Sequence, residues 1–235
     1  MNTHSDLQQA LPIIEQRIGY AFKDKALLTL AFIHRSFVNE NRHVAKTHNE
    51  RLEFLGDAIL GVIISDFIYF HFPQHSEGKL SNFRALLVGG SACALYLKKM
   101  HLECFLMVGR GESTNRGRGR NTLIANLFEA LIGAIYVDGG VEEARSFFFK
   151  NFYEEVVQIL EKPECNWKAE LQDFCQKRYQ QLPGYSLVHE EGPEHAKLFF
   201  VEVKLAGNPL GRGRGRSKKE AEQMAAKGAM DSLKL

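Results

Sequence analysis

The 235-residue chain lacks the marks of several large protein classes. It has one tryptophan and four cysteines, and none of the cysteines (Cys93, Cys104, Cys165, Cys175) stands in a C-x-x-C pair, which argues against a zinc knuckle or a redox couple. Its nine histidines include no H-E-x-x-H spacing, so a zinc hydrolase has little support. The balance of 30 Lys+Arg against 28 Asp+Glu leaves a formal charge of +2, too little for the chain as a whole to call for a polyanionic partner. No apolar run is clean enough for a membrane span: the most apolar stretch, residues 52–72, is interrupted by Glu53, Asp57 and Asp66. The first twenty residues show no basic segment followed by an apolar one, so the expectation is a cytoplasmic protein with free thiols and no membrane association.

What is present suits a folded protein. Hydrophobic residues make up 45% and charged ones 25%, which excludes wholesale disorder, a collagen-like repeat and a coiled-coil rod. The length is right for two compact domains. Up to about residue 160, apolar residues recur at three- and four-residue steps, as in Leu52, Leu55, Ile59, Val62 and Ile63, or Leu123, Leu127, Ala130, Leu131 and Ala134. The breaks fall at Phe72-Pro73, Gly89-Gly90, a run from Gly109 to Gly119, and Asp138-Gly139-Gly140. This pattern predicts an all-α N-terminal domain over residues 8–160. The basic run from Arg110 to Arg120 reads as a mobile loop. A polar segment around Pro163 reads as a linker over residues 161–166.

The remaining residues, 167–235, change period. Trp167 to Tyr179 is helical, Tyr185 to His189 and Leu198 to Leu205 are strand-like, and Leu210 to Arg216 is a third strand. There glycine and arginine alternate, which suits Gly against the helices and Arg outward, the other reading being a flexible Arg-Gly segment. Ser217 and Glu220 form a capping box that opens a last helix bearing Ala221, Ala225, Ala226 and Ala229. The second domain is thus a small α+β unit of order α-β-β-β-α.

Two features carry chemistry. At 100° per residue, Glu50, Glu53 and Asp57 fall within about 60° of one helix face. The rest of that helix is nearly all apolar, so the three acids are expected away from open solvent. Such carboxylates repel one another, and a hard divalent cation relieves the repulsion; oxygen-only ligands favour Mg²⁺ or Mn²⁺. On a second apolar helix Asn126 and Glu129 are the strongly polar side chains, at i, i+3, and Gly56 and Gly133 would let the two helices approach closely. A lone acid at helical spacing is more often a cap or an ion-pair partner, here of Arg51 or Arg84. Five oxygen side chains on two greasy helices weigh against that.

The segment Asn49 to Leu60, NERLEFLGDAIL, resembles the signature of the ribonuclease III family. His34-Arg35-Ser36-Phe37, Lys79-Leu80-Ser81, Gly109-Arg110-Gly111-Glu112 and Phe128-Glu129-Ala130-Leu131-Ile132-Gly133 agree in order. The resemblance implies metal ligands at Glu53, Asp57, Asn126 and Glu129, with Asp57 and Glu129 the catalytic essentials and Glu50 facing the RNA strand. It implies a Mg²⁺-dependent homodimer, with Mn²⁺ as a substitute and no small-molecule cofactor. Each subunit would cut one strand of double-stranded RNA, leaving 5′-phosphate and 3′-hydroxyl ends with a two-nucleotide 3′ overhang, in rRNA and mRNA precursor processing. The bacterial pattern usually has Asp where this chain has Asn126, which keeps a carbonyl oxygen and loses a charge.

The second domain resembles the double-stranded-RNA-binding domain. By that resemblance Gln172 and Gln176 would reach 2′-hydroxyls, His195 in the loop after the first strand would enter a minor groove, and Ser217, Lys218 and Lys219 would meet phosphate at a helix N-terminus. The competing reading is a duplex-binding protein with an impaired metal site. Retention of most of the acid set discriminates against it.

Overall fold

The computed structural model describes residues 4–113, 118–161, 167–193 and 197–233. The chain divides into two compact units, Met1–Glu161 and Lys162–Leu235.

In the first unit the described elements are α1 (His4–Ile18), α2 (Lys25–Ala31), α3 (Arg35–Glu40), α4 (Glu50–His71), α5 (Glu77–Val88), α6 (Gly90–Lys99), α7 (Arg110–Ser113), α8 (Arg118–Gly139) and α9 (Val141–Glu161). The breakers act where the sequence places them: α4 stops before Pro73, α5 gives way to α6 at Gly89, and α8 to α9 at Gly140, whose φ is +89°. α8 runs through the middle of the core. Ile124, Leu127, Phe128, Leu131, Ile132 and Ile135 are buried on several sides of it, and Tyr96, Phe148 and Phe152 close round Phe128 at ring distances of 5.3–6.4 Å. Length and composition alone would let residues 119–139 cross a bilayer, but more than half of that window is buried inside the unit, as befits a core helix.

The segment entering α4 is fixed by one buried side chain. Asn49 donates from its amide to the Ala31 carbonyl (3.0 Å) and from its backbone to the Ile33 carbonyl (2.9 Å), tying the helix start to the end of α2. The expected loop from Arg110 to Arg120 is helical at both of its described ends. Arg110 N–H donates to both carboxylate oxygens of Glu40 (3.0 and 3.1 Å), and Gly109 N–H donates to Ser36 Oγ (2.9 Å). Partners for its free N–H groups let the start of α7 form despite the glycines.

The second unit holds α10 (Trp167–Tyr179), β1 (Gly184–Glu191), β2 (Leu198–Leu205), β3 (Asn208–Gly215) and α11 (Lys218–Ser232). The strands form one antiparallel sheet of order β1-β2-β3. β3 begins two residues earlier than the alternation implies. Ala206 and Gly207 both adopt positive φ, and this two-residue turn pairs Leu205 directly with Asn208. α11 packs across β2 and β3, and α10 packs on α11; Leu171, Cys175, Val201, Val203, Ala221, Ala225 and Ala229 form the core. Ser217 caps α11 by accepting from Glu220 N–H (3.2 Å). The returning Glu220 carboxylate accepts from Arg216 N–H (2.7 Å), one residue before the position a standard capping box uses.

Candidate active site and nucleic-acid interface

The first site is built by the crossing of α4 and α8. A Cβ placed on Gly56 would lie 1.8 Å from the Glu129 carbonyl oxygen, and one on Gly133 would lie 2.2 Å from that of Leu52. The two backbones therefore touch, each glycine seated on the opposite helix. Glu53 and Asp57 flank Gly56, and Asn126 and Glu129 precede Gly133, so the crossing brings the four side chains to one end of the contact. Glu53 accepts a hydrogen bond from the Asn126 amide. Burial, then the Glu50 charge, lifts the Glu53 carboxyl above its ordinary range. Glu129 is pushed up to about 7 by burial first, then by the charges of Asp57 and Glu53. The Cys93 thiol of α6, itself fully buried, lies beside the Glu129 carboxylate.

The arrangement differs from the sequence expectation in depth. Glu53, Asn126 and Glu129 are partly buried and Asp57 is exposed, so the set lies at the rim of the crossing rather than between the rods. The apolar residues that share α4 with the acids do not all face inward: Phe54 is 80% exposed and Phe70 72%, with Val62 and Tyr69 also more than half exposed. Among the described residues no three His, Cys, Asp or Glu side chains stand close enough together to hold an ion without adjustment. The donor chemistry nevertheless fits a hard cation. All four side chains offer oxygen, and the neighbouring negative charges add to burial in raising the proton affinity of Glu53 and Glu129, a cost that a divalent charge removes.

Glu50 adds its charge to Glu53 and has partners of its own outside the four. Its carboxylate lies 3.7 Å from Arg35 and 3.7 Å from His48. Neither Arg51 nor Arg84 pairs with the site acids among the described residues, which disfavours the reading of Glu53 and Asp57 as mere ion-pair partners.

In the second unit Gln172 and Gln176 are exposed one turn apart on α10. Ser217, Lys218 and Lys219 stand exposed at the N-terminus of α11. Lys218 lies 3.8 Å from Glu190 and over the Phe199 ring at 5.9 Å. His195 lies outside the described residues. Sequence reasoning missed Cys93 and the open face of α4. A lone cysteine on an apolar helix carries no periodic signal, whereas Phe54, Ala58, Val62 and Tyr69 at four- and seven-residue steps trace one stripe that could have been read as a surface.

Comparison with known proteins agrees with this geometry. The Ribonuclease-III-like family pattern matches residues 24–156, and the double-stranded RNA binding motif matches residues 167–233. The molecule is thus of the class that joins a helical ribonuclease III nuclease domain to a small double-stranded-RNA-binding domain. The Ribonuclease 3 of Protochlamydia amoebophila is 52% identical over 235 residues, spanning 100% of this chain and 97% of its own length. The solved nuclease domain of ribonuclease III from Campylobacter jejuni superposes with a TM-score of 0.55 at 33% identity, covering 62% of this chain and 95% of that one. A second structure of that domain, described as showing structural flexibility in the region involved in its dimer formation, matches with a TM-score of 0.53 at 35% identity over 60% of this chain and 96% of that one. The chain belongs to the ribonuclease III family and is an endoribonuclease of double-stranded RNA.

Proposed function

We propose that the α4–α8 crossing is the cutting site, and that Glu53, Asp57, Asn126 and Glu129 hold Mg²⁺, or Mn²⁺ in its place. The observation that carries this is the glycine-seated contact that gathers four oxygen side chains and raises the proton affinity of Glu129 and Glu53. When bound, the cation activates water and stabilises charge on the phosphoryl oxygens and the leaving 3′ oxygen. Asp57, the exposed member, faces the side from which a phosphodiester arrives. Glu129 must release its proton to serve as a ligand, and the Cys93 thiol beside it fills the wall behind. Glu50, held by Arg35 and His48, lies against the strand being cut.

The second unit binds the duplex through Gln172, Gln176, Ser217, Lys218 and Lys219, with His195 in the minor groove. Residues 8–160 form the nuclease domain, 161–166 the linker and 167–235 the RNA-binding domain. Products carry 5′-phosphates, 3′-hydroxyls and a two-nucleotide 3′ overhang, and the substrates are rRNA and mRNA precursors in the cytoplasm.

The working form is a homodimer. Phe54 projects from the α4 stripe, and next to it lies a depression of about 830 Å³ lined by Ala58, Val62, Tyr69, Phe70 and Val88, with Ser65, Asp66 and Arg84 among them. A protruding ring beside a largely apolar hollow on one patch is the self-complementary shape that a two-fold interface needs. Asp57 also lines that hollow, which supports a cutting site close to the seam of such a dimer.

Incubation with an end-labelled RNA hairpin, with Mg²⁺ or with EDTA, tests the reading. Mg²⁺-dependent fragments that accept ligation through a 5′-phosphate support it, and tight binding without any cutting in Mg²⁺ leaves only a duplex-binding protein.

A further inference from the structure

We infer that the outer face of the sheet in the second unit binds single-stranded RNA running on from the duplex, through Arg214, Arg216 and the His189–Phe200 ring pair. The inference rests on the duplex contact proposed for Ser217, Lys218 and Lys219.

The alternation in β3 has a steric origin. A Cβ on Gly211 would lie 2.6 Å from the Ala225 carbonyl oxygen, on Gly213 2.1 Å from Ala225 N, and on Gly215 2.6 Å from Ala221 N. Only glycine fits on the side facing α11, and the strand period sends the intervening arginines to the opposite face. Packing explains one of them. Arg212 donates to the buried Glu202 carboxylate from Nε and Nη2 at 2.8 Å each, and Lys204 reaches the other oxygen at 2.9 Å. Arg214 and Arg216 are exposed and have no acidic partner among the described residues. Nothing in the fold of this unit requires a guanidinium at either position.

The register places an aromatic platform beside them. His189 pairs with Phe200, and Phe200 pairs with Arg214, so imidazole, phenyl and guanidinium occupy one row across the three strands. The two rings stack at 4.1 Å with planes 10° apart. Phe200 lies outside the buried core, and β1 is an edge strand, so the far face of the exposed His189 ring turns toward the open edge.

Unpaired guanidiniums on Arg214, near the end of β3, and on Arg216, just past it, next to an open aromatic face, match a run of backbone phosphates with a base stacked alongside. A duplex cannot use the rings, because its bases are already stacked on one another, whereas unpaired nucleotides can. Continuity sets the direction. Arg216 immediately precedes Ser217, Lys218 and Lys219, so a strand leaving the phosphate contact at the start of α11 meets Arg216 and then Arg214.

The test uses the full chain in EDTA, which prevents cutting, and fluorescence anisotropy. One probe is a blunt duplex of about 20 base pairs. The other is the same duplex with a uridine extension of about ten nucleotides. The extension is expected to tighten binding about fivefold or more. R214E and H189A, each made separately, are expected to abolish that gain and leave blunt-duplex affinity unchanged. A wild-type protein that binds both probes equally overturns the inference, as does an equal loss on both probes in R214E, which would put Arg214 on the duplex path. Failure of the wild-type chain to bind the blunt duplex overturns the underlying duplex reading as well, and so separates the two.

Discussion

The Asn126 amide of α8 donates a hydrogen bond to the Glu53 carboxylate of α4, so one of the two polar side chains that α8 brings to the crossing relieves negative charge there. An aspartate at the same position would face Glu53 with a like charge and lose the donor.

N126D should therefore destabilise the metal-free protein by about 1.5–3 kcal/mol, the size of a lost hydrogen bond to a charged group. Mg²⁺ should recover more stability in N126D than in the parent, because ligand binding to the folded state alone adds stability. Thermal melts in EDTA and across a Mg²⁺ titration check both; superimposable melts in EDTA would show that the amide contact is inconsequential.

Glu129 gives a pH signature. Its folded-state carboxyl is raised from 4.5 to about 7, so the fold favours the protonated form. The contribution is absent as a penalty below about pH 4.5, grows as pH rises, and is complete above about pH 7. E129Q carries a neutral side chain throughout. In EDTA its melting temperature should gain on the parent between those limits and duplex binding should persist, while in Mg²⁺ its cutting stops. A difference between the two melts that stays constant with pH would contradict the raised proton affinity.

The two lysines at the start of α11 are not equivalent. Lys218 is shared with Glu190 and the Phe199 ring, whereas Lys219 has no such partner among the described residues. Replacing both by alanine should flatten the log–log salt dependence of duplex binding by up to about two units. K219A alone should take the larger part. An unchanged slope in the double variant would mean that neither side chain meets phosphate.

Phe54 supplies the test of self-association. F54D should convert a dimer to a monomer in light scattering after gel filtration and should lower cutting, with little change in helix content. A parent chain that runs as a monomer at micromolar concentration would refute the dimer directly.

The parts of this architecture that were legible in the sequence are those where one geometry admits one residue type. Gly56 and Gly133 announced a backbone contact, and the Gly-Arg alternation announced a strand with a face too tight for any side chain. The parts that were not legible involve side chains with two acceptable environments. Phe54, Val62, Tyr69 and Phe70 are apolar whether a core or a second protein surface covers them, so the α4 pattern read as buried all round. That error carried Asp57 inward with it. The start of α7 was hidden for another reason: its helix depends on Glu40, seventy residues away in sequence, to accept from Arg110 N–H. Ala206-Gly207 concealed a tight turn because alanine seldom takes positive φ.

The mutual seating of Gly56 and Gly133 has a further consequence for how this enzyme can vary. With the carbonyl of Leu52 under one helix and that of Glu129 under the other, there is no cushion of side chains to absorb a new methyl group, and a shift large enough to accommodate one would drag the acids of both helices out of register. The two helices are bound to change in concert: a transplanted α4 stays functional only where its host has kept the matching bare position on α8.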